Sequence, residues 1–127
     1  MNKLRVMPIL LMIMSLLVVS CASAAPKEFT SPKQTIEVQV GEQFIIILDS
    51  NPTTGYSWEA DFDESFLKLA KSEYEPSDKP EGMVGTGGKE RFVFEGLNKG
   101  DTQVRLTYKR PWEQEVADTK TFSVSIK

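Results

Sequence analysis

Residues 36–62 read Ile36-Glu37-Val38-Gln39-Val40-Gly41-Glu42-Gln43-Phe44-Ile45-Ile46-Ile47-Leu48-Asp49-Ser50-Asn51-Pro52-Thr53-Thr54-Gly55-Tyr56-Ser57-Trp58-Glu59-Ala60-Asp61-Phe62. Three strands are written in them. Ile36, Val38 and Val40 alternate with Glu37 and Gln39, the period of a half-buried strand. Gly41-Glu42 turns the chain. Residues 44–48 are apolar without interruption, as a strand at the centre of a sheet requires. Tyr56, Trp58, Ala60 and Phe62 then alternate against Ser57, Glu59 and Asp61.

The pattern continues to the C-terminus. Residues 66–72 form a weaker fourth strand, and residues 91–95, with Phe92, Val93 and Phe94, a fifth. Val104, Leu106 and Tyr108 mark a sixth over 102–108, and Phe122, Val124 and Ile126 a seventh over 121–126. No stretch has a convincing helical period, although residues 63–69 could make a single turn. About seven short strands in roughly a hundred residues predict an all-β fold, an immunoglobulin-like antiparallel β-sandwich over residues 35–127, with Trp58 as a central core residue.

Upstream, Lys3 and Arg5 precede an uncharged apolar run over 6–19, then Ser20-Cys21-Ala22-Ser23-Ala24-Ala25. This is the layout of an export signal. Two cleavage sites fit it. Val18-Val19-Ser20-Cys21 resembles a lipobox, which would make 1–20 the signal and Cys21 the lipid-bearing first residue. Ala22-Ser23-Ala24 fits the A-x-A rule, with cleavage before Ala25. The expected location is therefore a periplasmic or cell-surface lipoprotein, attached to a membrane through Cys21, or alternatively a secreted protein. Residues 21–34, with Pro26 and Pro32, read as a tether.

Composition excludes much chemistry. Among 127 residues there is no His and one Cys. No Ser-His-Asp triad, Cys-His dyad or His-ligated zinc site can be built, and no internal disulfide. No metal or cofactor is expected. The net charge of −3 goes to −5 when Lys3 and Arg5 leave with residues 1–20, which argues against nucleic acid as a partner. Asp61, Asp63 and Glu64 could supply two acids for a hydrolase, but they sit by the expected connection between strands three and four.

If successive strands reverse direction, connections alternate between the two ends. The short ones (41–42, 63–65, 96–101) share one end. The long ones (49–55, 73–90, 109–120) share the other, and long loops grouped on a rigid sandwich are a binding arrangement. The first holds Asn51-Pro52-Thr53-Thr54-Gly55-Tyr56, two hydroxyls on a stiff turn able to donate and accept hydrogen bonds, or an ordinary Asn-Pro turn. The second holds Gly85-Thr86-Gly87-Gly88, bare backbone for main-chain contact, or simply a floppy loop. The third opens Arg110-Pro111-Trp112, residue types enriched in interface hot spots, although Trp112 could instead fold back onto the sandwich. Glu113, Glu115 and Asp118 read as a solvated flank.

Together these three motifs, in this order and spacing, resemble the chagasin family of inhibitors of papain-like cysteine peptidases. The lipobox-like signal would suit a prokaryotic member. The resemblance implies an immunoglobulin-like sandwich that is no enzyme and blocks such proteases reversibly, the partner being a papain-like cysteine protease. It implies that Thr53 and Thr54 enter the cleft, that residues 85–88 lie along one side, and that Trp112 with Arg110 packs on the other. A monomer is expected. The competing reading is an exported immunoglobulin-like module that binds a glycan or an envelope protein and inhibits nothing.

Overall fold

The computed structural model describes residues 25–77 and 87–127. The expected signal at 1–20 and the lipidation candidate Cys21 lie outside the described residues, as do Gly85 and Thr86. Eight strands build two facing sheets: β1 (Lys27–Phe29), β2 (Ile36–Val38), β3 (Gln43–Ser50), β4 (Ser57–Phe62), β5 (Leu67–Pro76), β6 (Gly88–Gly96), β7 (Gly100–Lys109) and β8 (Val116–Ile126). One sheet runs β1-β3-β6-β5 and the other β2-β8-β7-β4.

The all-β sandwich expected from the sequence is found, with two differences. β1 lies inside the stretch expected to be a tether. It pairs parallel with β3, Lys27 beside Phe44 and Phe29 beside Ile46. β2 likewise pairs parallel with β8, so the sheets are mixed. A three-residue strand with one buried side chain, Phe29, carries too short a pattern to read. The second difference is loop length. β5 continues to Pro76 and β6 begins at Gly88, so the connection expected over 73–90 is only 77–87. That far end of β5 is a sheet edge whose side chains are solvated on both faces. Backbone pairing with β6 holds it, and no hydrophobic alternation betrays it. The connection expected over 109–120 shortens to 110–115 for the same reason, since β8 is exposed up to Thr119.

The core lies between the sheets. Phe44, Ile46 and Leu48 of β3 and Phe92 and Phe94 of β6 face Val104 and Leu106 of β7 and Phe122, Val124 and Ile126 of β8. Phe44 stacks on Phe94 at 5.5 Å, and Phe62 meets Phe94 edge-on at 5.1 Å. The unbroken apolar run of β3 follows from its place between two neighbours. Ile45 and Ile47, on the outer face, are only 9% and 7% exposed. On that face Arg91, opposite Ile47, pairs with Glu28 of β1 at 2.9 Å and with Glu73 and Glu75 of β5 at 4.0 and 3.8 Å.

The single turn considered over 63–69 is confined to 63–66, because β5 begins at Leu67; Phe66 N–H and Leu67 N–H donate to the Asp63 carbonyl. Asp63 also accepts from the Ser65 amide and hydroxyl, which lowers its pKa. Its carboxylate is thus committed to the turn. Among the described residues no helix is long and apolar enough to cross a membrane.

Candidate binding site

The connections β3–β4, β5–β6 and β7–β8 gather at one pole, as alternation of strand direction requires. The first is a tight turn. Pro52–Thr54 form one 3-10 turn, and Gly55 closes it with φ of 85°, a left-handed conformation costly for any residue with a Cβ. Thr54 N–H donates to the Asn51 carbonyl at 3.2 Å and Gly55 N–H to the Pro52 carbonyl at 3.0 Å. The hydroxyls turn inward. Thr53 Oγ1 donates to Asn51 Oδ1 at 2.5 Å and Thr54 Oγ1 to the Asn51 carbonyl at 2.6 Å. Both hydroxyls, expected to be able to donate and accept, are engaged within the turn. Their hydrogens shape the turn, and the tip offers methyl groups and oxygen lone pairs.

Arg110 holds the first and third loops together. Its Nε donates to the Thr54 carbonyl at 3.0 Å, and its Nη1 donates to Glu113 Oε1 at 3.0 Å. Its guanidinium lies over the Tyr56 ring at 4.4 Å, a cation–π arrangement. Tyr56 in turn packs on Tyr108 at 5.2 Å and Tyr108 stacks on Trp58 at 4.8 Å. One column therefore runs from the core tryptophan to the loop guanidinium. The Tyr108 hydroxyl accepts from Asn51 N–H at 2.9 Å, fixing the start of the first loop to the same column. Glu113, expected as mere solvated flank, is part of this clamp.

Trp112 does not fold back into the sandwich. It is 71% exposed. One ring edge lies against Gly55, where a Cβ would come within 2.5 Å of Cη2. Gly55 is thus required twice, by its φ and by the indole beside it.

Of the second motif, Gly87 and Gly88 are described. A Cβ on Gly87 would sit 2.6 Å from the Ser50 carbonyl, and one on Gly88 would collide with the Glu75 carbonyl and the Tyr74 hydroxyl. Ser77 N–H donates to the Gly87 carbonyl at 3.2 Å. These glycines let the backbone of β6 enter between β3 and β5; Gly88 is buried and Gly87 half-buried, so at these two positions packing accounts for glycine, not the bare exposed backbone expected. A shallow groove lined by Asn51, Ser50, Ser77, Gly87 and Tyr108 separates the first and second loops.

Glu90 was not singled out by its sequence context. It shares the inward face of β6 with Phe92 and Phe94, and that alternation was the available signal. Its Oε2 accepts Trp58 N–H at 2.9 Å, bridging the two sheets beneath the loops, while Trp58 Nε1 donates to the Asp49 carbonyl at 2.9 Å. Burial raises the Glu90 pKa, against the opposing pull of the Trp58 hydrogen bond. The Ser50 hydroxyl, buried beside this carboxylate and a lesser influence on it, lies outside ordinary hydrogen-bond geometry. Among the described residues no group of His, Cys, Asp or Glu is arranged to hold a metal ion.

Residues 37–126 match the family model described as Chagasin family peptidase inhibitor I42. The chain is 37% identical over 92 residues to amoebiasin-1 of Entamoeba histolytica, covering 72% of this chain and 87% of that protein. It is 35% identical over 99 residues to chagasin of Trypanosoma cruzi, covering 73% and 87%. Among solved structures, the cysteine protease inhibitor EhICP2 of Entamoeba histolytica superposes with a TM-score of 0.67 at 27% identity, covering 80% of this chain and 95% of the other. With the family model covering β3 to β8 and all three loops, the chain belongs to the chagasin family of peptidase inhibitors.

Proposed function

We propose that this protein inhibits papain-like cysteine proteases reversibly, as a monomer, by filling the active-site cleft with the loop pole of the sandwich. The observation that carries this reading is the Arg110 clamp. It ties the Thr53-Thr54 tip to the short 110–113 turn that carries the exposed Trp112, before any partner arrives. A surface already ordered loses little entropy on binding. The tip enters at the catalytic Cys-His pair, the indole of Trp112 packs on one wall, and residues 85–88 lie along the other. The tip's own hydrogen bonds close it on itself, and it carries no thiol or imidazole, so it occludes without reacting.

In this reading residues 1–20 export the chain, and Cys21 carries a lipid or is lost by cleavage before Ala25. The inhibitor domain then takes in β1 and begins near Lys27, with the tether confined to the few residues before it. Papain whose cleft is filled by a covalent peptidyl label tests the binding mode. Labelled enzyme should fail to bind the protein, and equal binding by labelled and free papain would rule out cleft occlusion.

A further inference from the structure

We propose that a lipid surface holds this protein by the pole of the sandwich opposite its binding loops, so that the membrane-attached chain presents residues 51–56 and 110–115 away from the bilayer. The inference rests on the export-and-anchor reading above and on the direction of β1. β3 climbs from the turn at Gly41 to Ser50, at the foot of the first loop. β1 runs parallel to it, Lys27 level with Phe44 and Phe29 with Ile46. The chain therefore enters the domain at the far pole and moves toward the loops. Antiparallel pairing would have brought it in beside the loops and set the membrane against them.

β1 is held in that direction. Phe29 is 8% exposed and meets Phe44 edge-on at 6.5 Å, and Glu28 pairs with Arg91 at 2.9 Å. The reach of the tether enforces the orientation. Cys21 is six residues before Lys27, a maximum span of about 20 Å. From Phe44 to Ser50 along β3 is also about 20 Å. A lipid on Cys21 thus reaches at most the level where the loops begin, and the tips stay clear while β1 is docked. The far pole carries apolar surface of its own. Val40 and Leu97, 48% and 37% exposed, sit on turns joined by Gly41 N–H donating to the Gly96 carbonyl at 2.8 Å.

The test uses the full chain made with its own leader in a bacterial host and reconstituted in phospholipid vesicles containing a nitroxide-headgroup lipid. Lys99→Cys, on the far-pole turn, and Gln114→Cys, on the third loop, are labelled separately with a thiol-reactive fluorophore; Cys21 is blocked by its lipid. Quenching several-fold stronger at 99 than at 114 is expected, together with an unchanged inhibition constant for papain between vesicle-bound and detergent-solubilised parent protein, which carries neither substitution nor label. Equal or reversed quenching overturns the orientation. Failure of the protein to float with the vesicles overturns the anchor and the orientation with it. Absence of inhibition in detergent as well as on vesicles overturns the inhibitor reading and leaves the quenching result to decide orientation alone.

Discussion

Arg110 Nε donates a 3.0 Å hydrogen bond to the carbonyl of Thr54, fifty-six residues earlier in the chain. The same guanidinium covers Tyr56 and pairs with Glu113. Two of its donors, on Nε and Nη1, are used within its own loops, which makes Arg110 a positioning residue. Replacing it with Ala should weaken inhibition of papain by about 1.5–2 kcal/mol, at the low end of the range for a charged hydrogen bond, while the melting temperature moves little. Arg110→Lys should recover only part, because an ammonium cannot bond Thr54 and stack on Tyr56 together. Inhibition constants and thermal melts of both variants check this.

Trp112 is the reverse case, mostly exposed, with one ring edge against Gly55. Trp112→Ala should cost about 2 kcal/mol of binding, as an aromatic hot spot does, with far-UV circular dichroism and melting temperature unchanged. A large loss of stability would show that the indole supports the fold.

Gly55 links these two residues. Gly55→Ala meets a left-handed φ and the Trp112 ring at once. A cost of about 1–2 kcal/mol is expected from the backbone alone, along with displacement of the indole. Inhibition should fall by more than in Trp112→Ala, since turn and ring are both disturbed. Measuring the two variants side by side against papain decides the order.

The inward hydroxyl of Thr54 gives a finer prediction. Thr54→Ser keeps the bond to the Asn51 carbonyl and should inhibit nearly as well as the parent. Thr54→Val keeps the shape and loses the bond, and should be weaker by about 1 kcal/mol. The opposite ranking, with Val preserved and Ser impaired, would assign the role to the methyl group.

Glu90 gives a pH dependence. Its pKa is raised in the folded protein, so the native state holds this proton more tightly than the unfolded chain. Its contribution is therefore fully present below the unfolded carboxyl value, and it is lost as pH rises through that value to the raised folded one. Asp63 is shifted the other way, so its contribution appears above its unfolded pKa and fades as pH falls through its lowered folded one. Glu90→Gln retains an acceptor for Trp58 N–H and should flatten the dependence above the ordinary glutamate pKa. Thermal melts of parent and variant from mildly acid to neutral pH measure the difference.

Period-2 alternation made most of the fold legible. Wherever one face is buried, as at Val104, Leu106 and Tyr108, the pattern named both strand and inward residue. It failed at Lys27–Phe29, where three residues make too short a signal, and along Glu73–Pro76, where an edge strand outruns the core and backbone pairing acts alone. The loop motifs named residues that gather at the loop pole but left their local contacts open. Asn51-Pro52-Thr53-Thr54-Gly55 does not say which way a hydroxyl turns, nor Arg110-Pro111-Trp112 that the guanidinium faces inward and the indole outward. Those depend on contacts between loops far apart in sequence, Thr54 with Arg110 and Gly55 with Trp112.

Occlusion of a cysteine protease cleft by this pole is tested most directly by titrating papain of known active-site concentration with the purified protein. Hydrolysis of a small peptide substrate should fall linearly to near zero at one equivalent and return on dilution, with the catalytic thiol still alkylatable. Full activity in the presence of a tenfold molar excess would contradict it.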